Sequence, residues 1–194
     1  MAGEEEERFS VNQAGLPDLY PTHRHDAMFW EALGRTVATF GFLEDRAIFA
    51  FTATKPYREE EIQKACDEWL QKLERALTDQ LGGLIDGYGK AVREHPSATI
   101  SNLDELLEEL RKASEIRNVL CHGSWHTPDV NGASLPFFVN RKKEQFDTAI
   151  DVDFLRQVQR HTVDLIREII NSVTHMGWQF PGSGGPGRAI WHIR

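Results

Sequence analysis

The chain has 194 residues, of which 40% are hydrophobic, enough for one domain with a core of its own. Acidic residues outnumber Lys and Arg by 30 to 22, a formal net charge of −8. That balance argues against a general electrostatic footprint for duplex DNA or an anionic membrane and leaves room only for a local basic cleft. Two cysteines, Cys66 and Cys121, cannot build a disulfide framework, and neither belongs to a metal-spaced cluster. With an acidic start and no signal-peptide core, the expected location is cytoplasmic.

Residues 1–25 are polar and carry Pro17 and Pro21, which predicts an irregular N-terminal arm docked by Leu16 and Tyr20. From Asp26 to Thr54 the pattern is helical. Glu31, Arg35, Glu44, Asp45 and Arg46 interrupt it, whereas a membrane span needs about 20 predominantly apolar residues. Trp30, Leu33, Val37, Phe40 and Phe51 form its apolar arc, with Glu44 inside that arc. Ala27, Gly34, Ala38 and Gly41 make a strip of small residues. Local packing against another helix is the preferred reading of that strip, ahead of a dimer seam.

Lys55-Pro56-Tyr57 breaks the first helix, and a second is expected from about Arg58 to Arg93. Gly82-Gly83, Gly87 and Gly89 weaken its second half, where a kink or break is expected, and His95-Pro96 stops it. Ser101 or Asn102 caps a third helix. On it Leu103, Leu106, Leu107, Leu110, Ala113, Leu120 and Cys121 share one arc, and acids crowd the other. Arg117 falls inside the apolar arc, where a charge is costly unless paired or facing a polar cleft. Asn118 and His122 lie together at the arc's edge, and Gly123 ends the helix.

After Gly123 the periodicity changes. Asn131-Gly132 is a turn signal, and Phe137–Val139 with Gln145–Ile150 predict a short ribbon within residues 124–150. Asp151 or Asp153 opens a fourth helix that runs to about His175, with Leu155, Val158, Thr162, Leu165, Ile169 and Val173 in its stripe. Residues 177–194 read as a flexible Gly/Pro-rich tail. The expected fold is all-α: residues 26–176 form a four-helix up-down bundle with a short β-hairpin excursion before the last helix.

Several chemistries find no support. No Gly-rich loop follows a strand and opens a helix, no His/Cys/Asp/Glu set has zinc or di-iron spacing, and Ser124 beside His122 and His126 makes no nucleophile elbow. No cofactor or metal is expected, and His23 and His25 in the arm read as non-ligands. What remains is Arg-x4-His, present twice. Arg156 to His161 lies mid-helix, with Arg156 pointing away from the apolar stripe, and reads as a solvated face. Arg117 points inward, and its partner His122 sits at a helix C-terminus, which favours a cation.

Arg117-Asn118-Val119-Leu120-Cys121-His122, ending the third helix of a four-helix bundle, resembles the Arg-x4–6-His motif of HEPN domains. The resemblance implies a homodimer with a shared cleft and, in many members, metal-independent endoribonuclease activity on single-stranded RNA in defence or toxin systems, with an antitoxin or activator as a further partner. It implies that Arg117 binds the phosphate and His122 serves as acid/base, with Asn118 as the polar residue after the Arg. The variant motif with Tyr two residues after the His is not matched, because Ser124 stands there.

The chemistry is coherent on its own terms. RNA carries its own nucleophile, the 2′-OH, and its cleavage needs a proton carrier near neutrality and a cation on the phosphoryl oxygens. Two competing readings remain open. In one, the domain is a non-catalytic HEPN-like binding or assembly module. In the other, Arg117 merely pairs with a buried carboxylate while His122 caps its helix. Glu44 is the expected carboxylate, since each charge would relieve the other's desolvation. Arg117 and His122 are five residues apart, about 140° around a helix. They diverge unless a cleft curves round the helix end, which favours a composite site in a homodimer.

Overall fold

The computed structural model describes residues 12–52, 80–95 and 100–176. Among these residues the protein is mostly helical, with four α-helices and one two-stranded sheet. The helices are α1 (Ala27–Thr52), α2 (Leu81–Glu94), α3 (Leu103–His122) and α4 (Val152–His175). Strands β1 (Ser124–Trp125) and β2 (Pro136–Phe137) lie between α3 and α4. No helix among the described residues is long and apolar enough to cross a membrane. Residues 1–11, Cys66, the expected first half of the second helix and the 177–194 tail lie outside the described residues.

Capping follows the sequence closely. Asp26 Oδ1 accepts from the Phe29 amide at 2.8 Å and Asp151 Oδ1 from the Phe154 amide at 2.7 Å, so each carboxylate satisfies an orphan donor of the helix it opens. Asn102 takes the N-cap position of α3 without a side-chain bond. The kink or break expected at the glycines is not seen: α2 runs unbroken through Gly82, Gly83, Gly87 and Gly89, after Gln80, whose extended backbone takes the N-cap position.

α1 packs on α4 and α2, and α3 closes the core against α2 and α4. The buried face of α1 is carried by Phe29, Leu33, Thr36, Phe40, Leu43 and Ala47, while Trp30 and Val37 are only partly covered. The core arc is therefore rotated from the expected one. The small-residue strip lies on the opposite side: Ala27, Gly34, Ala38 and Gly41 are exposed, and nothing stands within 4 Å of a Cβ placed at Gly34 or Gly41. Among the described residues no helix packs on the strip at Gly34 or Gly41.

The arm is docked, but not by Leu16 and Tyr20, which are exposed. The His25 ring stacks on Phe29 at 4.3 Å and meets Trp30 and Trp125 edge-on, Trp30 Nε1 donates to the Thr22 carbonyl at 2.9 Å, and Arg24 bonds Thr127. Burial there pushes the His25 imidazole below its ordinary pKa, with Asp26 opposing the shift.

In the core, the Tyr88 hydroxyl and Ser172 Oγ are 2.6 Å apart, and Ser172 Oγ donates to the Ile169 carbonyl at 2.7 Å. Burial pushes the Tyr88 phenol up to about 12 from 10, with the Ser172 bond opposing. Between those values the unfolded chain releases a proton that the folded chain keeps, so stability falls as pH rises. Two units correspond to about 2–3 kcal/mol. Urea unfolding of wild type and Tyr88→Phe at pH 9 and pH 11.5 is expected to show this alkaline loss in the wild type and less of it in the variant.

The excursion departs from the expected ribbon. The regular pairing is antiparallel β1–β2, with Ser124 opposite Phe137 and Trp125 opposite Pro136. Phe138–Val139 and Gln145–Phe146 are joined only by an isolated bridge and the Phe146 amide to Phe138 carbonyl bond at 3.0 Å, and Ser134 bridges Ile150. Pro136 has no N–H to extend the ladder. The Asn131-Gly132 turn forms, with Gly132 at φ +81° and Asp129 Oδ1 accepting from the Asn131 and Ala133 amides.

Candidate functional site

α3 ends where the excursion folds back. At Gly123 an added Cβ would stand 2.6 Å from the Val119 carbonyl oxygen and 3.0 Å from Pro136 Cβ, so only glycine lets the chain leave the helix along this path. Val119, opposite the leucine arc, is buried, while Cys121, expected on that arc, is exposed. The last turns thus depart from the helical wheel where the excursion meets the helix end, with Pro136 packed close to Gly123.

Between the end of α3, the start of α2 and the excursion lies a cleft of about 650 Å³. Arg117, Asn118 and His122 all line it. One cleft thus takes in the diverging arginine and histidine within a single chain. His122 is exposed to it, and Arg117 and Asn118 are half-buried.

Arg117 is held from two sides. Its Nη2 lies 3.2 Å from Glu44 Oε1, and Nη1 donates to Asn118 Oδ1 at 3.3 Å. Glu44 is the inward acid that the sequence points to. Both side chains are 27% exposed, so the pair is partly solvated; Arg117 lines the cleft, whereas Glu44 Oε1 is buried behind it. Removing one partner from a dry interior costs about 3–5 kcal/mol, whereas partial solvation lowers the expectation here to about 1–2 kcal/mol. Glu44→Gln is expected to lose that much in denaturant unfolding, with a smaller loss at high salt.

The second Arg-x4-His copy is split between places. Arg156 Nη1 pairs with Asp153 at 3.3 Å beside a cavity of about 250 Å³ near the starts of α1 and α4, whereas His161 Nε2 lies 3.4 Å from Glu109. Both side chains are exposed. The two copies share a spacing and differ in what the tertiary fold builds around them.

The excursion supplies residues that the motif does not indicate. Arg141 and Lys142 line the same cleft as Arg117, and Phe138 and Phe146, packed on the core, give it an apolar wall. Arg141 Nη2 donates to Gln80 Oε1 at 3.3 Å, joining the turn to the start of α2. Glu115, Glu144 and Asp147 are its acids. The available signal was Arg141-Lys142-Lys143, the only run of three Lys or Arg in the chain. Among the described residues no group of three or more His, Cys, Asp or Glu side chains is placed to hold a metal ion.

Chemically, the cleft offers a fixed guanidinium, an accessible imidazole and two further cations around one opening. That set can neutralise phosphoryl oxygens and move a proton beside them. In comparisons with known proteins, no family model, no curated protein and no solved structure matches this chain.

Proposed function

We propose that this protein is a metal-independent endoribonuclease of the HEPN type, cutting single-stranded RNA by attack of the 2′-OH. The supporting observation is that Arg117, Asn118 and His122 line one cleft, while the other copy of the spacing is dispersed over an exposed face. Arg117, oriented by Glu44 and Asn118, neutralises the phosphoryl oxygens as charge builds on them. The 2′-oxygen gives up its proton and bonds to phosphorus, and the 5′-oxygen leaves with a proton. The products are a 2′,3′-cyclic phosphate and a 5′-hydroxyl. His122 is the proton carrier.

In this reading the helices form an up-down bundle and the protein acts as a homodimer, with two α3 ends at one opening. One His122 then accepts the nucleophile's proton while the second copy's donates to the leaving oxygen. The exposed small-residue strip of α1, which no part of the described chain covers at Gly34 and Gly41, fits a close two-fold contact. The acidic surface disfavours tight general binding of RNA, so an antitoxin or activator sets the target, as in a bacterial defence or toxin system.

The Glu44–Arg117 pair favours a second reading, a binding or assembly module in which the guanidinium is structural. Incubating the purified protein with several single-stranded RNAs in EDTA separates the two. Cleavage with cyclic phosphate ends is expected. An inert wild type leaves the binding module as the function.

A further inference from the structure

Resting on the RNA-cleaving reading, we infer that the Asn140–Glu144 turn is a second phosphate clamp, whose Arg141 and Lys142 hold backbone phosphates flanking the one at Arg117. Both residues line the cleft that contains Arg117 and His122. In a chain of net charge −8, two members of the only run of three cations stand at this opening.

The turn is built to hold them in place. Asn140 Oδ1 accepts from the amides of Lys142 at 2.9 Å and Glu144 at 3.0 Å, and the Asn140 amide donates to the Glu144 carbonyl at 3.0 Å. Lys143 sits at φ +66°, a left-handed position that ordinarily favours glycine or asparagine. The Arg141–Gln80 bond ties the turn to the opposite wall. Less side-chain and backbone freedom is then left to lose when a strand binds.

The cleft's acids fit the same ligand. Asn140 Nδ2 donates to Glu144 Oε2 at 2.7 Å, so that carboxylate is engaged within the turn. Glu115 and Asp147 offset the cations, keep a bare polyanion from binding tightly, and can accept from the exocyclic amines of unstacked bases. Single-stranded RNA presents phosphates and unstacked bases together.

The test measures binding of a fluorescein-labelled single-stranded RNA with 2′-O-methyl riboses, which cannot react through the 2′ position, across a salt series. Arg141→Gln/Lys142→Gln is compared with Lys143→Asn, a loss of charge on the same turn at a residue that does not line the cleft. The double variant is expected to bind at least tenfold more weakly near 0.1 M salt. Its dependence of log K on log salt should flatten by about 1.4, at about 0.7 per phosphate contact on a single strand. Lys143→Asn should stay within twofold of wild type. On cleavable RNA the double variant should raise KM and leave kcat within twofold, and circular dichroism should match wild type.

Wild-type cleavage with an unchanged double variant overturns the clamp and leaves the function standing. An equal loss in Lys143→Asn also overturns the clamp, because net charge alone then explains the binding. Turn-dependent binding without cleavage supports the clamp and removes the cleavage reading. A wild type that neither binds nor cuts overturns both.

Discussion

His122→Ala is expected to slow RNA cleavage by about 10²–10⁴-fold, the usual contribution of a positioned acid/base group, with its unfolding midpoint unchanged. The separation is possible because His122 is exposed at the end of α3 and lines the cleft without joining the core. Arg117→Ala is expected to lose a similar factor through the phosphoryl charge it no longer offsets, but it also strands Glu44 and so lowers stability. The double variant should be little worse than either single one, because groups that act on one step do not contribute additively. Mixing the two single variants under conditions that exchange subunits should restore part of the activity if the site is composite. A midpoint drop in His122→Ala large enough to explain lost cleavage, or equal cleavage by wild type and variants, would remove the catalytic assignment.

Gly89 and Leu107 are expected to behave as a size-coupled pair. A Cβ at Gly89 would meet Leu107 Cδ1 at 2.7 Å and Cδ2 at 3.0 Å, where α2 packs on α3. Leu107 is 1% exposed and has little room to yield. Gly89→Ala should therefore overpack the contact by about 1–3 kcal/mol, even though alanine is the better helix former. Leu107→Ala should cost about 2–5 kcal/mol through the cavity it leaves. In the double variant the new methyl enters space that the leucine vacated. The summed loss should fall short of additivity by about 1–2 kcal/mol. A double-mutant cycle by urea unfolding measures this directly, and strict additivity would show that the two helices do not meet as described.

Wherever an element answers to its own period or its own cap, the sequence was sufficient. Asp26 and Asp151 begin their helices, Asn131-Gly132 turns, and the stripe of α4 is mostly buried as its spacing requires. These are local effects, decided by hydrogen bonds within a few residues and by side chains on one face. The Glu44–Arg117 pair was legible for a related reason. Two charges on otherwise apolar arcs leave few ways to offset desolvation other than meeting.

Tertiary packing decided the rest. Which face of α1 is inside depends on where α2 and α4 lie, so the small-residue strip is exposed although its composition suggests close packing. In α3's last turns Val119 is buried and Cys121 lies in solvent, the reverse of what the helix period alone gives. The fold-back of the excursion gathers the two motif ends and the Arg141–Lys142 turn around one opening, while of the identical spacing on α4 only Arg156, and not His161, lines a cavity with the excursion. Five residues of helix fix the divergence of Arg117 and His122 at about 140°. Here the excursion, arriving from elsewhere in the chain, brings both residues to one cleft.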